Sequence, residues 1–431
     1  MKTILLLGAI ESFCDVVEDL HEAGYKTVVC DYYPDAPAKK ISDFFSDDST
    51  TDEEAVYGLA VKYKVDGIMC AFSDRNIPTC HNVAKRLGLR DYYTDELVPL
   101  VTNKIAQKKF LQDKGFNTVK SRTLKENFSD NEISDFDFPV VIKPVDASGS
   151  KGVIVCYSIN EVREHVGETL SEGALDKEHF MIEEFYDTDE ISVTGWVKGG
   201  ICHTTCMYDL RKVPSRKWTP GTEIFPSKYT DGCLEGVSDL MQRLVTAFGV
   251  TDGPVTGQLF MGDRGVKVNE FIVRLCGGSP YMYTEYLGGP NLAVMTANLL
   301  TGQENDYSFM NTFTSKNRGI TVYQCCAYVG ERGRIYYGFT EEDVKRVVPE
   351  CVHFQTYYPS GINVETIPTD GKLIARMFVE TDKPDVLTFE SVINRLEKVV
   401  IIRNENGENI ADFHHLDTPV DMNPKIDHYF E

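Results

Sequence analysis

Apolar residues recur along the chain with two periods, and the alternation between them sets out an architecture. Thr3–Leu7 is an unbroken apolar run, as in a strand buried on both faces. Over Cys14–Ala23, Val16, Val17 and Leu20 fall at helical spacing, and Lys26–Asp31 forms a second strand-like run. A helix over 53–63, a strand over Gly67–Phe72 and a helix over 78–87 ending at Gly88 continue the series. Strands alternating with helices predict a parallel sheet.

Beyond residue 100 the pattern changes. TNKIAQKKFLQDKGF, residues 102–116, predicts a helix capped by Thr102 or Asn103, with Ile105, Phe110 and Leu111 buried and Gly115 at its end. Strands over Phe138–Lys143, Gly152–Tyr157 and 179–186, with a helix over 160–170, predict a small α+β unit built around a hairpin. The stretch 190–310 holds the strands ISVTGWV, VTGQLFM and VKVNEFIV and helices over 234–248 and near 290–301. The remainder holds ITVYQCCAYV, IARMFVE, VVIIRN and one helix over 388–398. The expected division is a parallel α/β domain over 1–99, a central unit over 100–310 with a mobile lid over 118–186, and an α+β subdomain over 311–431.

Composition narrows what such a chain does. Its 431 residues exceed one hydrophobic core and predict several packed units. With 66 Asp and Glu against 44 Lys and Arg, the net charge is −22. That field repels phosphate backbones, so nucleic acid is not expected as a partner. The 12 cysteines form no CxxC motif and read as the reduced thiols of a cytoplasmic protein. The start, MKTILLLGAI, leads into the acidic ESFCDVVEDL without an A-x-A site, and reads as a strand rather than a signal peptide. No apolar run reaches the length of a membrane span, and no membrane partner is expected. Cys202, His203 and Cys206 read as strand residues, since zinc usually needs four ligands at recognisable spacing.

In an acidic protein, local basic clusters need a reason. VVIKPVDASGSKGV, residues 140–153, ends a strand at Lys143 and enters a loop of small residues: Ser148, Gly149, Ser150, Lys151 and Gly152. Backbone amides of such a loop can approach a phosphate, although a plain hairpin turn with a solvated lysine explains it too. VTGQLFMGDRGVKVNEFIVRLCGG, 255–278, folds on paper as a hairpin carrying Gln258 on one strand, with Glu270 and Arg274 on the other. An amide oxygen and a carboxylate are hard ligands suited to magnesium, and an arginine nearby suits charge on a transferring phosphoryl group. The plainer alternative is a cross-strand ion pair. MIEEFYDTDEIS, 181–192, suits a hinge at Glu183, Glu184, Phe185 and Tyr186 whose backbone meets an adenine edge, with Glu190 accepting from ribose hydroxyls; a solvated acidic edge is the alternative. In DLRKVPSRKWTPGTEIFPS, 209–227, the cations Arg211, Lys212, Arg216 and Lys217 read as a substrate loop for a carboxylate or phosphate, or as a solvated basic loop. The first strand's turn, Gly8 to Phe13, keeps only one glycine of GxGxxG, so the dinucleotide fingerprint fails and Asp31 loses its case as a ribose ligand.

Taken in order, these stretches resemble the ATP-grasp enzymes over about residues 1–310. The resemblance implies a nucleotide clamp of two α+β subdomains behind a Rossmann-like domain: α/β and α+β, multidomain. It implies that Lys104 and Lys143 hold the α- and β-phosphates of ATP, and that the 147–152 loop closes over them. Backbone at Glu184 and Tyr186 then meets adenine, and Glu190 meets ribose. Gln258 and Glu270 bind Mg²⁺ or Mn²⁺, and Arg274 stabilises the transferring phosphoryl group. Gln258 in the first metal position is similar to the carbamoyl-phosphate-synthase branch. The common pattern E-x-N-x-R has Ile272 at its middle here, which cannot ligate. The implied reaction joins a small-molecule carboxylate to an amine through an acylphosphate, and family members often pair as homodimers. The carboxy-terminal hundred residues resemble, loosely, the extra subdomain of the family's amino-acid ligases. Two alternatives stay open: a carbamoyl-phosphate-synthase-like enzyme acting on bicarbonate or carbamate, and an ATP-binding sensor without chemistry. An oxidoreductase is a rival against which the failed glycine pattern stands. No role is assigned to His353, His414 or His415.

Overall fold

The computed structural model of the chain describes residues 1–146, 152–173, 176–213, 216–277, 280–286, 288–312, 321–329, 333–363, 373–382, 386–413 and 415. Its first sheet is parallel throughout, in the order Phe44–Ser46, Lys26–Cys30, Thr3–Leu7, Gly67–Met69. Ile4 to Leu7 are fully buried in the middle of that sheet, as a run without alternation requires. The helices Ser12–Glu22, Glu53–Tyr63 and Ile77–Leu87 belong to this part of the chain, within a residue or two of the periodicity. The last strand is shorter than expected and ends at Met69. The chain then leaves the sheet, and Phe72 takes a positive φ of 63° with its ring 5.0 Å from that of Phe13. Its amide donates to the Leu275 carbonyl at 3.1 Å, so the departing strand docks on the central unit.

The first turn of this sheet is filled by protein. A Cβ on Gly8 would meet the Phe13 ring at 2.4 Å. The Asp31 carboxylate accepts from the amides of Ala9 and Tyr33, each at 2.9 Å, which gives it a purely structural task.

A small antiparallel sheet follows, in the order Ser121–Lys125, His179–Glu184, Val140–Pro144, Ile154–Cys156. Alternation along its strands separates two faces. Val140, Ile142, Phe180 and Ile182 pack with Val162 and Val166 of the helix Ile159–Ser171 in a core of their own. Val141, Lys143, Met181 and Glu183 therefore face the other way. The hinge strand stops at Glu184 rather than continuing through Tyr186.

The largest sheet has nine strands. Its path runs Gly265–Ile272, Asp252–Gly262, Asp189–Lys198, Ile201–Val213, Arg216–Phe225, Thr321–Tyr328, Leu373–Thr381, Cys351–Thr356, with Asp412–Phe413 paired beside Thr321–Tyr328. Two expectations change here. The basic stretch expected as a substrate loop is a hairpin within this sheet, because its alternating end, Thr222 to Phe225, pairs with Asp209 to Arg211 on one side and with Val322 to Gln324 on the other. The residues beyond 310 extend the same sheet, although they gather a separate core around Phe389, Val392, Ile393 and Leu396 of the helix Val386–Val399. Of VVIIRN, only Ile402–Arg403 is strand. Cys202, His203 and Cys206 lie on the strand Ile201–Val213 as expected.

The helix Thr230–Phe248 starts four residues before its expected position and underlies the central strands. It packs so closely that a Cβ on Gly257 would meet the Met241 sulfur at 2.6 Å. The helix Lys104–Asp113 is pinned to the strand Gly265–Ile272 by one side chain. Gln107 donates to the Phe271 carbonyl at 2.8 Å and accepts from the Phe271 amide at 2.9 Å, both in the interior. The rings of Phe110, Phe248 and Phe271 close the joint, with centroids 4.7 and 4.9 Å apart. No helix among the described residues is long and apolar enough to cross a membrane. Gln107→Ala would strand both backbone groups of Phe271, and a loss of about 2–4 kcal/mol is expected, read as a lower urea midpoint.

Candidate active site

Three charged side chains meet where the small sheet faces the central unit. Register pairs Val141 with Glu183 and Lys143 with Met181, so Lys143 and Glu183 stand on neighbouring strands one pleat apart on the same face. The Lys143 ammonium lies 2.7 Å from Glu183 Oε2, and the Lys108 ammonium 3.2 Å from Oε1. Burial alone would raise the Glu183 pKa, but the two lysines outweigh it and hold the carboxyl at about 2. Burial pulls Lys108 below its ordinary value, with Glu183 opposing. Lys104 is half-buried one turn before Lys108 on the same helix, so the two cations share a side. Glu183, expected as a hinge group, is thus the counter-ion of two lysines.

The hinge itself is braced from below. The Glu184 carboxylate pairs with Lys267 and, at 3.1 Å, with Arg264. Its amide donates to the Lys120 carbonyl at 2.9 Å, and that of Phe185 to Pro139 at 3.3 Å. Tyr186 packs its ring under Arg264 and Lys267 and donates its hydroxyl to the Gly265 carbonyl at 3.1 Å.

Gln258 and Glu270 are direct partners across two strands, and the ladder slips beside them. Before the slip Val266 and Val268 point into the core; after it Phe271 does. The extra residue is a β-bulge, and it turns both Asn269 and Glu270 to the open face. Glu190 joins them there, because its strand neighbour Ser192 pairs with Gln258, and Asn269 Nδ2 lies 3.4 Å from Glu190 Oε1. The Lys108 ammonium donates to the Asn269 carbonyl at 3.3 Å and so links the lysine cluster to this face. Two half-buried oxygen donors side by side fit a hard divalent cation such as Mg²⁺ or Mn²⁺. Ile272 is buried and adds no donor.

Other expected residues have different surroundings. Arg274 is 5% exposed and gives a two-pronged pair to Asp74, Nε at 2.6 Å and Nη2 at 2.7 Å, with Nη1 donating to Leu275. Burial opposes its charge, and Asp74 more than restores it. Its guanidinium thereby ties the end of the strand Gly265–Ile272 to the parallel-sheet domain. Register pairs Leu210 with Glu190, which sends Arg211 to the opposite face of the sheet. There it meets Asp189 at 3.3 Å, beside Lys228 at 2.5 Å and the Tyr229 hydroxyl at 2.6 Å. Arg211 is therefore not brought to the Gln258–Glu270 face. The side chains of Lys212, Arg216 and Lys217, and residues Ser148, Gly149 and Ser150, lie outside the described residues. Gly152 has φ 64°, and a Cβ there would strike Glu172 at 2.8 Å and Pro144 at 2.9 Å, so glycine is required.

Sequence reasoning missed Lys108, Lys267, Asn269 and Asp74. Lys108 had a signal in its spacing of four from Lys104. Asn269 was masked by strict alternation, which a bulge breaks.

A family model described as Phosphoribosylglycinamide synthetase, ATP-grasp (A) domain, matches residues 102–213. The chain is 28% identical over 207 residues to the formate-dependent phosphoribosylglycinamide formyltransferase of Bacteroides thetaiotaomicron, covering 46% of this chain and 52% of that protein. It thus spans about half the length of that relative. It is 26% identical over 357 residues to the phosphoribosylamine–glycine ligase of Pyrococcus furiosus, covering 73% and 75% of the two chains. The structure of an L-amino acid ligase from Bacillus licheniformis superimposes with a TM-score of 0.73 at 18% identity, over 94% of this chain and 99% of that one. Fold and family model agree: residues 102–213 match an ATP-grasp domain, and the chain shares the fold of that ligase.

Glu183→Gln would leave the buried Lys108 and the half-buried Lys143 without their anion, at an expected cost of about 3–5 kcal/mol at neutral pH. The folded carboxyl titrates near 2, below its ordinary 4.5, so its stabilisation is complete above 4.5 and fades as pH falls toward 2. The urea-midpoint gap between wild type and variant should narrow over that window.

Proposed function

We propose that this chain is an ATP-dependent carboxylate–amine ligase that forms an amide or peptide bond and releases ADP and phosphate. The observation that carries this reading is the contact between the Lys108–Glu183–Lys143 cluster and the Gln258–Glu270 face, made through Asn269. It sets cations for a polyphosphate beside oxygen donors for its metal. The names of two relatives, a glycine ligase and an L-amino acid ligase, support the class.

In this reading the small sheet is the lid over a clamp spanning 100–310. Lys104 and Lys143 hold the α- and β-phosphates, and Lys143 exchanges its Glu183 partner for them in part. Backbone at Glu184 and Tyr186 meets adenine, and Glu190 the ribose. Gln258 and Glu270 would hold magnesium or manganese, which would offset negative charge on the phosphates. The substrate carboxylate takes the γ-phosphoryl group as ADP leaves. The amine then attacks the acyl carbon, loses a proton, and phosphate departs with the bonding electrons. The chain's own residues position and offset charge, and no side-chain nucleophile is needed. Arg274, held by Asp74, borders the phosphoryl group. A cytoplasmic location and a homodimer complete the proposal.

A second reading, an ATP-binding sensor, draws on Ile272, which removes a donor from the second metal strand. ADP release from Mg·ATP with pooled carboxylates and amines separates the two. Glu270→Ala should abolish turnover in the ligase; full activity would refute the metal assignment. Lys143→Ala should weaken Mg·ATP binding about 10- to 100-fold, read by calorimetry. Tight binding without turnover for any acceptor would favour the sensor.

A further inference from the structure

The sheet face that carries Glu190, Gln258 and Glu270 continues past them into the interior, where its residues are buried. From Glu190, register partners pass in a row to Leu210, Glu223, Gln324 and Phe378. Cys326 and Arg376 pair one pleat along, on the same face. The segment Tyr283–Tyr286 touches this row: Tyr283 donates its hydroxyl to Glu223 Oε2 at 2.8 Å and lays its ring near Phe378. The helix Ser12–Glu22 touches it too, through Asp15, which pairs with Arg376 Nη2 at 2.9 Å.

This region collects polar atoms that lack partners. Gln324 Oε1, Arg376 Nε, Tyr281 OH and Tyr357 OH have no hydrogen-bond partner among the described residues. All four residues are more than nine-tenths buried, with Gln324 at 7% and Arg376 at 1%. An unmet buried polar group is destabilising, so four in one neighbourhood call for an explanation. Arg376 stands over the Tyr357 ring at 5.3 Å, and its charge reaches Glu223 and Tyr281. The orphaned atoms thus belong to one neighbourhood.

Glu223 and Gln324 are direct cross-strand partners, so their side chains stand about 4.5–5.5 Å apart at Cβ. Glu223 is buried and has no ion-pair partner among the described residues. Burial raises its carboxyl to about 7, against the pull of Tyr283 and Arg376. A cation from outside would restore its charge. Three strand spacings, about 14–15 Å, separate Gln258 from Glu223. That span accommodates a terminal phosphate, a carboxylate and an amino group beside it.

Resting on the ligase reading, we propose that the substrate activated at its carboxylate is an amino acid with a polar side chain. Its ammonium sits between Glu223 and Gln324 Oε1, and its side chain reaches Arg376 Nε with the Tyr281 and Tyr357 hydroxyls.

Acyl hydroxamate formation tests this, with hydroxylamine as the amine and Mg·ATP binding measured in parallel. L-glutamine should be the best acid, L-alanine weaker, and propionate and formate unused. Glu223→Gln should raise KM for glutamine and alanine about 10- to 100-fold and leave Mg·ATP affinity unchanged. Arg376→Lys keeps a cation for Asp15 but loses Nε, and should raise KM for glutamine alone. Propionate or formate matching alanine, or an unchanged KM in Glu223→Gln, overturns the proposal. If a variant fails to fold, the alanine–propionate comparison in the wild type still decides. Failure of the wild type to bind Mg·ATP would instead refute the ligase reading, and this inference with it.

Discussion

A single carboxylate held between two ammonium groups organises the centre of this protein. Glu183 comes from the small sheet, Lys143 from its neighbouring strand, and Lys108 from the helix pinned to the central sheet. Three buried charges together would be prohibitive if any were unpaired, since each loses hydration worth several kcal/mol. With one anion between two cations the set keeps a net positive charge. That surplus is unusual in a chain of net charge −22. It creates a local attraction for an anion in a molecule whose surface otherwise repels one.

The surrounding devices all serve to aim groups at that spot. The bulge at Asn269 places two consecutive side chains on one face, which regular alternation forbids. Gln107 fixes the helix bearing Lys104 and Lys108 against the strand Gly265–Ile272 through two hydrogen bonds to one residue. Arg274, just past the same end of that strand, is tied to Asp74. The end of the strand that carries Glu270 is thus held from two sides by buried polar contacts. A rigid frame of this kind suits chemistry that depends on position more than on reactive side chains.

Much of this was legible in the chain. The unbroken apolar run at Thr3–Leu7 and the helical spacing after it described the parallel domain closely. Lys143, Glu183, Glu190, Gln258 and Glu270 were singled out as candidates by local context, because strand ends, loops of small residues and hairpins leave local marks; Glu183, expected at a hinge, is instead the counter-ion of two lysines. What stayed hidden depended on contacts between distant segments. Nothing near Arg274 foretells Asp74, which lies 200 positions away. The basic hairpin looked like a loop because Pro and Gly break its pattern, and only the pairing of Glu223 to Phe225 with Val322 to Gln324 makes it sheet. The same pairing decided the fate of Arg211, since its facing follows from register rather than from its neighbours in sequence.

That pairing also bears on how the polypeptide survives partial synthesis or proteolysis. Thr321–Tyr328 covers the outer margin of the strand Arg216–Phe225. A fragment ending near residue 310 would bare that margin as a ladder of unsatisfied amides and carbonyls, flanked by the apolar Ile224 and Phe225. Such an edge invites docking with the same edge of another copy, and so aggregation. The residues after 310 therefore cover an edge that the middle of the protein would otherwise leave bare.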